Sequence, residues 1–474
     1  MERDRLRRRI VIVKKYKIGL LPLFLKMYVD KNPDMIKRSE EFRMQIAQEF
    51  VRKDVDVVEF RICCVKEEFK EAIDLFTKEE VDAIVTLHLA YSPSLESAGV
   101  LSTTDLPIVV LDTTETYDFG PDQDGSEISY NHGIHGVQDM CNLLILNKKK
   151  FTIEAGHWKN SDVIERVILA VKASRIAFNM KNSRIGLIGS TFNGMGDFQV
   201  PEEVLSREIG VNIVRYELSE LSSFVEAVTD EETENELASD YTKFHVYNID
   251  SEIYKASIKS GLAIRKWIDT ENLAGFTMNF LEFTSSSGMP TIPFMEACKS
   301  MARGIGYAGE GDVLTASLMG AILSTFPDTT FTEMFCPDWQ NNSIFLSHMG
   351  EMNINLCIDK PVVQVMDFSY TDIVKPVTAS GRLKPGKAVL TNLAPGPDDT
   401  FSLILAPVEV LDIQVSDNME GKVRGWIRSE KSVSEFLKQY SMNGGTHHSA
   451  LVYDCPINVL KQLGEIMNWN VVTI

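Results

Sequence analysis

Five acidic and histidine side chains in the second half of the chain could do chemistry, and two of them, Glu333 and His348, lie in surroundings that predict burial. Glu310 stands between two glycines in "GYAGEGDVLTA", and Glu333 stands in the aromatic run "FTEMF". His348 follows the apolar run "IFLS", and the pair His447 and His448 follows two glycines in "GGTHHS". A buried charge needs a compensating partner, and a divalent cation is one of the few adequate partners. Carboxylate and imidazole ligands together suit Mn²⁺ or a similar ion.

Each of these residues also has an ordinary structural explanation. Glu310 can be a carboxylate at a helix entrance, Glu333 can pair with a lysine or arginine, and His348 can be a hydrogen-bonded core histidine. The histidine pair can be a feature of a turn. The spacings between the segments form no local metal motif of the H-E-x-x-H kind. The residue types alone therefore leave both the metal site and the structural roles open.

The elements that must position these side chains follow two patterns. Short apolar β-rich runs predict strands at 10–13, 56–65, 82–87 and 108–114. Helical spacing of apolar residues predicts helices at 38–53 and 67–80. A second strand–helix unit begins near 183, and Asp312 is predicted to cap the helix after Glu310. Such alternation predicts mostly parallel sheets with helices on both faces.

The chain beyond residue 360 changes to short β-type runs punctuated by proline and glycine, which predicts an antiparallel, partly barrel-like domain. We therefore predict three domains, at 1–182, 183–330 and 331–474. The glycine-rich stretch 189–197 lacks the dinucleotide fingerprint G-x-G-x-x-G and is predicted to be a turn lining a cleft. A chain of 474 residues is long enough for this division.

Composition excludes several classes of protein. The net charge of −19 argues against nucleic acid and anionic membranes as partners. No stretch approaches the ~20 apolar residues that a membrane span needs. The basic start "MERDRLRRRIVIV" predicts a strand and not a signal peptide. The seven cysteines form no C-x-x-C motif, so we expect neither a zinc site nor a disulfide framework, and a cytoplasmic location.

The segments "GYAGEGD", "TEMF", "LSHMGE" and "GGTHHS", in this order and at these separations, resemble the L-arabinose isomerase family. The similarity is close in "GYAGEGDVLTA", and the order of segments covers most of the chain. The resemblance implies two α/β domains of the flavodoxin-like type followed by a β-rich C-terminal domain. It also implies a sugar substrate and homo-oligomers built from trimers, with active sites at subunit contacts.

The resemblance further implies metal ligands at Glu310, Glu333, His348 and His448, with Glu310 and Glu333 also catalytic. The implied cofactor is Mn²⁺, or another divalent ion such as Co²⁺ or Mg²⁺. Successive side chains of an extended segment point to opposite faces, so we expect only one histidine of the pair to reach the ion. His447 is then expected behind His448, on the substrate side of the site or supporting it.

Other positions match family segments that contact the sugar. "SYNHGIHGVQD" points to His132 and His135, in a segment that reaches the active site of a neighbouring subunit. Met195 in "NGMGD" and Phe283 in "LEFTSSSG" match positions that line the sugar, although ordinary packing explains both equally well. The first sugar-binding loop of the family is replaced by the divergent stretch 16–30, so the identity of the sugar stays open.

The resulting hypothesis is a metal-dependent aldose–ketose isomerase, an intramolecular oxidoreductase working through a cis-enediol intermediate. Glu310 and Glu333 would move the proton between the two carbons. Two alternatives remain open at this stage. One is a non-catalytic sugar-binding or regulatory protein with the same fold, and the other is a metal-dependent epimerase or hydrolase of modified sugars.

Overall fold

The computed structural model describes residues 15–31, 33–413 and 418–474. The described residues up to Phe178 form one compact unit, and those from Asn179 to Ile474 form a second. The strand predicted at 10–13 lies outside the described residues. The predicted division into three domains, with boundaries after 182 and 330, stays a prediction.

The first unit is a parallel α/β sheet with the strand order β2-β1-β3-β4-β5, as in flavodoxin-like folds. Its strands are β1 Tyr16–Leu23, β2 Val55–Glu59, β3 Ala83–His88, β4 Ile108–Asp112 and β5 Thr152–Ala155. Its helices are α1 Lys26–Lys31, α2 Pro33–Arg52, α3 Lys66–Lys78, α4 Ser94–Thr103, α5 Ile128–Asn131, α6 Gly133–Leu146 and α7 Val163–Lys181. The strands predicted at 82–87 and 108–114 are confirmed, and that predicted at 56–65 ends at Glu59.

The divergent stretch 16–30 is not a loop, and this part of the prediction was wrong. Its first part is the central strand β1, which pairs with β2 on one side and β3 on the other, and most of the remainder belongs to α1. A strand covered on both faces is apolar without alternation, and "IGLLPL" has that pattern. Pro22 is tolerated there, and its carbonyl oxygen accepts a hydrogen bond from the backbone N–H of Cys63 at 3.0 Å.

The second unit begins with a four-stranded parallel sheet in the order β10-β9-β6-β7. Its strands are β6 Arg184–Ile188, β7 Asn212–Tyr216, β9 Gly275–Met278 and β10 Gly306–Gly309, and the two-residue strand β8 His245–Val246 joins another sheet. The helices are α8 Glu202–Val204, α9 Leu218–Glu226, α10 Asp230–Lys243, α11 Ser251–Glu271, α12 Phe294–Ala302 and α13 Val313–Leu323. Helix α13 is buried along its whole length, which places its first turn inside the unit.

The rest of the second unit is β-rich. Its strands are β11 Thr329–Asp338, β12 Ser343–Ser347, β13 Val362–Val365, β14 Val377–Arg382, β15 Gly386–Pro395, β16 Phe401–Val410, β17 Val423–Arg428, β18 His448–Tyr453 and β19 Asn470–Thr473, with helices α14 Val433–Met442 and α15 Ile457–Met467. Pairing runs β16-β15-β18-β11-β12-β17 and returns to β16, so six antiparallel strands close a ring. The predicted partly barrel-like domain is confirmed.

Candidate active site

Glu310 is delivered by the carboxyl end of the parallel sheet, where it directly follows β10. Its φ of 65° lies in the left-handed region, which is unusual for a residue with a side chain and recurs at functional sites. Gly311 follows with a φ of 80°, and a Cβ there would lie 2.5 Å from the Cα of Thr191. The turn therefore requires glycine at position 311, and Glu310 lies in this turn and not in the strand.

Strand register brings the remaining residues together although they are far apart in sequence. Glu333 in β11 pairs with His448, the first residue of β18. On its other side Glu333 pairs with Ser347, the last residue of β12, and His348 follows directly. Three neighbouring strands of the ring therefore present Glu333, His348 and His448 at one place.

Carboxylate oxygens of Glu310 and Glu333 lie close to imidazole nitrogens of the three histidines. Oε1 of Glu333 lies 3.1 Å from Nε2 of His348 and 3.2 Å from Nε2 of His448. Oε2 of Glu310 lies 3.4 Å from Nε2 of His448 and 3.5 Å from Nε2 of His447. One ligand atom from each of Glu310, Glu333, His447 and His448 lies within 4.8 Å of the others, a grouping that could hold a metal ion. We call these four residues and His348 the site cluster.

A carboxylate holds the other ring nitrogen of each histidine. Nδ1 of His348 lies 2.6 Å from Glu351, and Nδ1 of His448 lies 2.9 Å from Asp312. Nδ1 of His447 lies 2.7 Å from Asp197.

A carboxylate at Nδ1 fixes the orientation of the ring and leaves Nε2 facing the cluster, as is usual for metal-ligating histidines.

Burial and the attraction between carboxylates and imidazoles have opposing effects on the pKa values of the site cluster. The attraction prevails, so it lowers the pKa values of the acids and raises that of His348. Burial acts to raise the pKa of Glu310, but the attraction of the neighbouring imidazoles of His447 and His448 outweighs burial and lowers that pKa to about 2. The pKa of Glu333 is lowered in the same way by His348 and His448. Burial acts to lower the pKa of His348, but Glu351 and Glu333 raise it to about 10. The carboxylates are therefore ionised at neutral pH, and in the absence of another cation the buried imidazoles are protonated.

The expectation that the two adjacent histidines face opposite ways was wrong. Both Nε2 atoms approach Glu310, and the two ring centroids are only 4.2 Å apart. The reason is that β18 begins at His448, so His447 precedes the strand and does not follow its alternation. Which imidazoles bind an ion stays a prediction.

The other predicted sugar contacts lie in different surroundings. Phe283 is fully buried, and Met195 is half-buried in the loop before Asp197. In the first unit, His135 is exposed and His132 is half-buried, with Nε2 of His132 3.3 Å from the hydroxyl of Tyr28. The roles of these four residues stay predictions.

Sequence reasoning missed two carboxylates and part of the role of a third. Asp312 was predicted to cap α13, and its Oδ1 does accept the backbone N–H of Thr315 at 2.8 Å, but its Oδ2 also holds His448. Glu351 stands three residues after His348 in "HMGE", a spacing that could have indicated it. Asp197 is 250 residues from His447, and nothing local in the sequence signals the contact.

Two family models match the chain. The L-arabinose isomerase central domain matches residues 203–325, and the L-arabinose isomerase C-terminal domain matches residues 328–470. Together these ranges take in more than half of the chain, which belongs to the L-arabinose isomerase family. This confirms the resemblance seen in the sequence.

Individual relatives agree with this assignment. The chain is 23% identical to L-arabinose isomerase 2 of Bacillus licheniformis over 388 residues, covering 79% of this chain and 80% of that one. It is 23% identical to the L-arabinose isomerase of Thermotoga maritima over 432 residues, covering 85% and 83%. Among solved structures, a periplasmic solute-binding protein from Actinobacillus succinogenes with bound D-allose aligns at 12% identity over 64% of this chain and 88% of that one. Its TM-score of 0.16 is too low to carry an argument.

Proposed function

We propose that the protein is a divalent-metal-dependent aldose–ketose isomerase, an intramolecular oxidoreductase acting on a sugar. The observation that carries the proposal is the convergence of Glu310, Glu333, His447 and His448 at one point, with His348 in contact with Glu333. Membership of the L-arabinose isomerase family supports the type of reaction. No helix among the described residues has the length and apolar character to cross a membrane, and a cytoplasmic location stays a prediction.

The residues present fit a metal ion. Nε2 of His448 is buried and makes no hydrogen bond, although it lies 3.2 and 3.4 Å from carboxylate oxygens. Once an added cation replaces the proton on this nitrogen, its lone pair points at a centre shared with both carboxylates and not at a single neighbour. We assign Glu310, Glu333, His348 and His448 as ligands of Mn²⁺, with Co²⁺ and Mg²⁺ as alternatives that the same donor set accepts. When bound, such an ion polarises the sugar carbonyl.

Glu310 and Glu333 carry the proton transfer in this proposal. They reach the shared centre from two different elements, the end of β10 and the middle of β11. Both are ionised at neutral pH, because the imidazoles lower their pKa values. One carboxylate removes the proton from C2 of the open-chain aldose while O1 takes up a proton, which gives the cis-enediol of the sugar. A proton is then returned at C1 while O2 loses its proton and becomes the carbonyl oxygen of the ketose. Each positioned acid or base contributes ~10²–10⁴-fold to the rate.

The remaining predicted residues are assigned to the substrate. His447 is the histidine of the pair that solvent reaches, with 38% of its side chain exposed against none of His448. Met195 and Phe283 are proposed to shape the sugar pocket. His132 and His135 are proposed to complete the site of a neighbouring subunit in a homotrimer or hexamer.

The test is a panel of pentoses and hexoses incubated with Mn²⁺-loaded protein and scored for ketose by chromatography. Reaction in deuterium oxide should also place label in the sugar, because an enediol exchanges its proton with solvent. Sugar binding without any ketose would contradict the proposal and favour a non-catalytic sugar-binding protein. Release of a hydrolysed or epimerised product in place of a ketose would favour the other alternative.

A further inference from the structure

The three carboxylates behind the histidines of the site cluster differ in exposure. The side chains of Asp312 and Glu351 are completely buried, as is His448, and His348 is nearly so. Asp197 and His447 each leave 38% of the side chain exposed. Two of the carboxylate–imidazole pairs are therefore sealed inside the protein, and the third faces solvent. A molecule that enters the site from solvent can reach only the third.

Asp197 holds both the backbone and the ring of His447. Its Oδ2 accepts the backbone N–H of His447 at 3.0 Å and lies 2.7 Å from Nδ1 of the ring. The next residue, Phe198, stacks on the ring of His448 at 4.9 Å with an interplanar angle of 10°. One short loop thus fixes both histidines, one by hydrogen bonds and the other by stacking.

The loop that carries Asp197 is itself tied to the turn at Glu310. The backbone N–H of Phe192 donates to the carbonyl of Glu310 at 3.0 Å, and the hydroxyl of Thr191 donates to the carbonyl of Gly311 at 3.1 Å. The start of this loop is therefore bonded to the turn that carries Glu310, and its later part holds the His447 ring through Asp197.

The bond to Asp197 also decides which ring nitrogen carries the proton. With Glu310 bound to an ion, a neutral His447 keeps its proton on Nδ1, because the Asp197 carboxylate can only accept, and leaves a lone pair on Nε2. Nε2 lies 3.5 Å from Oε2 of Glu310, and 38% of the His447 side chain is exposed to solvent. A sugar hydroxyl is the complementary group, since it can donate to Nε2 while its carbon chain lies against the cluster.

We propose that Asp197 is a positioning residue that locks His447 in the Nδ1–H tautomer, so that Nε2 of His447 accepts a hydrogen bond from a hydroxyl of the substrate. The proposal rests on the proposed function for the identity of the ligand as a sugar. It assigns His447 to the substrate and Asp197 to the control of how tightly that substrate is held.

The first test measures the affinity of Mg²⁺-loaded protein for a pentitol, a linear polyol that mimics an open-chain pentose, by calorimetry. Asp197→Ala should weaken pentitol binding by about 10- to 100-fold, the worth of a hydrogen bond involving a charged group. Asp197→Asn should retain most of the affinity, because the amide oxygen can still accept both N–H groups. The double variant with His447→Ala should bind no more weakly than His447→Ala alone, because both changes remove the same interaction.

Asp338→Ala is the matched control. Asp338 also uses a carboxylate to hold a backbone N–H and a side chain of one residue, Asn341, at 3.0 and 2.8 Å. It lies five residues beyond Glu333 along β11, about 16 Å at the strand rise. We expect Asp338→Ala to lower the unfolding temperature about as much as Asp197→Ala and to leave pentitol binding unchanged.

The second test reads the tautomer directly, by nitrogen-15 NMR of the histidines in Mg²⁺-loaded protein. His447 should be in the Nδ1–H form in the wild type and in Asp197→Asn, and should shift towards the Nε2–H form in Asp197→Ala. An unchanged tautomer or unchanged pentitol affinity in Asp197→Ala would overturn the inference, as would a large loss of Mg²⁺ affinity in His447→Ala. A wild type that binds the pentitol but forms no ketose would contradict the proposed function alone.

Discussion

The second unit contains two buried clusters of ionisable groups, and they are compensated in different ways. The site cluster pairs Glu310 and Glu333 with imidazoles. The other, which we call the charge network, pairs three acids with three permanent cations on α10, α11 and α12 and directly after α12. Its members are Glu236, Asp240, Arg265, Glu296, Lys299 and Arg303.

The difference separates a structural role from a functional one. In the charge network Arg265 contacts both Glu236 and Glu296 at 2.8 Å, and Lys299 contacts Asp240 at 2.6 Å, so each carboxylate has a cation that pH does not remove in the neutral range. Burial acts to lower the pKa of Arg265, but Glu296 and Glu236 raise it well above its ordinary value. In the site cluster the compensating charge is a proton or an added cation. The charge network is neutralised by its own side chains, whereas the site cluster can exchange its protons for a metal ion.

The largest expected effect is on turnover, in the site cluster. Glu310→Gln keeps the size of the side chain but removes the carboxylate that we assign to proton transfer and metal binding. We expect kcat to fall by at least about 10²–10⁴-fold, the usual contribution of a positioned acid or base. The measurement is ketose formation under saturating Mn²⁺, with circular dichroism to show an unchanged fold. Turnover close to that of the wild type would remove Glu310 from the mechanism.

The corresponding change in the charge network should act on stability instead. Glu296→Ala removes a carboxylate that is 2% exposed and leaves Arg265, which is 25% exposed, without one of its two partners, and breaking a buried pair costs about 3–5 kcal/mol of unfolding free energy. Denaturant titration measures this loss, and kcat below the unfolding transition should be unchanged. Lys375→Ala, which breaks the exposed pair with Asp367, is the control and should change stability little. If Glu296→Ala and Lys375→Ala lowered the unfolding free energy equally, burial of the charge network would contribute nothing to stability.

The third prediction uses pH to reveal the exchangeable partner. Without an added ion, the raised pKa of His348 gives stability that is complete below its unfolded value of ~6.5 and is lost as pH rises towards about 10. The lowered pKa of Glu310 gives stability that is complete above ~4.3 and is lost as pH falls towards about 2. The ion-free site cluster therefore stabilises the protein most between those two unfolded values, at about pH 4.3–6.5.

Metal ions must displace the imidazole protons, so their stabilising effect should grow with pH. At 100-fold excess over Kd an ion adds about 2.7 kcal/mol. We expect Mn²⁺ to raise the unfolding temperature, relative to protein in chelator, clearly more at about pH 8 than at about pH 5.5. An equal rise at both pH values would mean that protons and the ion do not compete for the imidazoles. The charge network should give no such dependence, because lysine and arginine stay protonated throughout this range.

A feature of this protein can be predicted from its sequence when the residues that define it lie close together along the chain, and not when they lie far apart. The strands near 82–87 and 108–114 could be predicted because local apolar patterns define them. Glu333 and His348 were singled out because acids and imidazoles are unusual in apolar runs, and Glu310 because it stands between glycines just before a helix. The pairing of Glu333 with His448 joins residues 115 positions apart and depends on strand register, which no local pattern encodes. The stretch 16–30 was misread because family comparison suggested a loop where the apolar run itself indicates a strand.

The smallest expected effect concerns the sealed pair of His348 and Glu351. Glu351 is fully buried, with Oε2 2.6 Å from His348 and Oε1 accepting the hydroxyl of Tyr307 at 2.9 Å. Glu351→Gln keeps the shape but removes the charge that orients the imidazole, and such partners are typically worth about 10–100-fold in metal affinity.

Tyr307→Phe is the graded control for this prediction, because it removes only the bond to Oε1 and leaves His348 held. We expect it to weaken Mn²⁺ binding, measured by calorimetry, less than Glu351→Gln does. If Glu351→Gln bound Mn²⁺ as tightly as the wild type, then Glu351 would act like the members of the charge network. In that case His348 would belong to the cation-binding site, whereas Glu351 would have only a structural role.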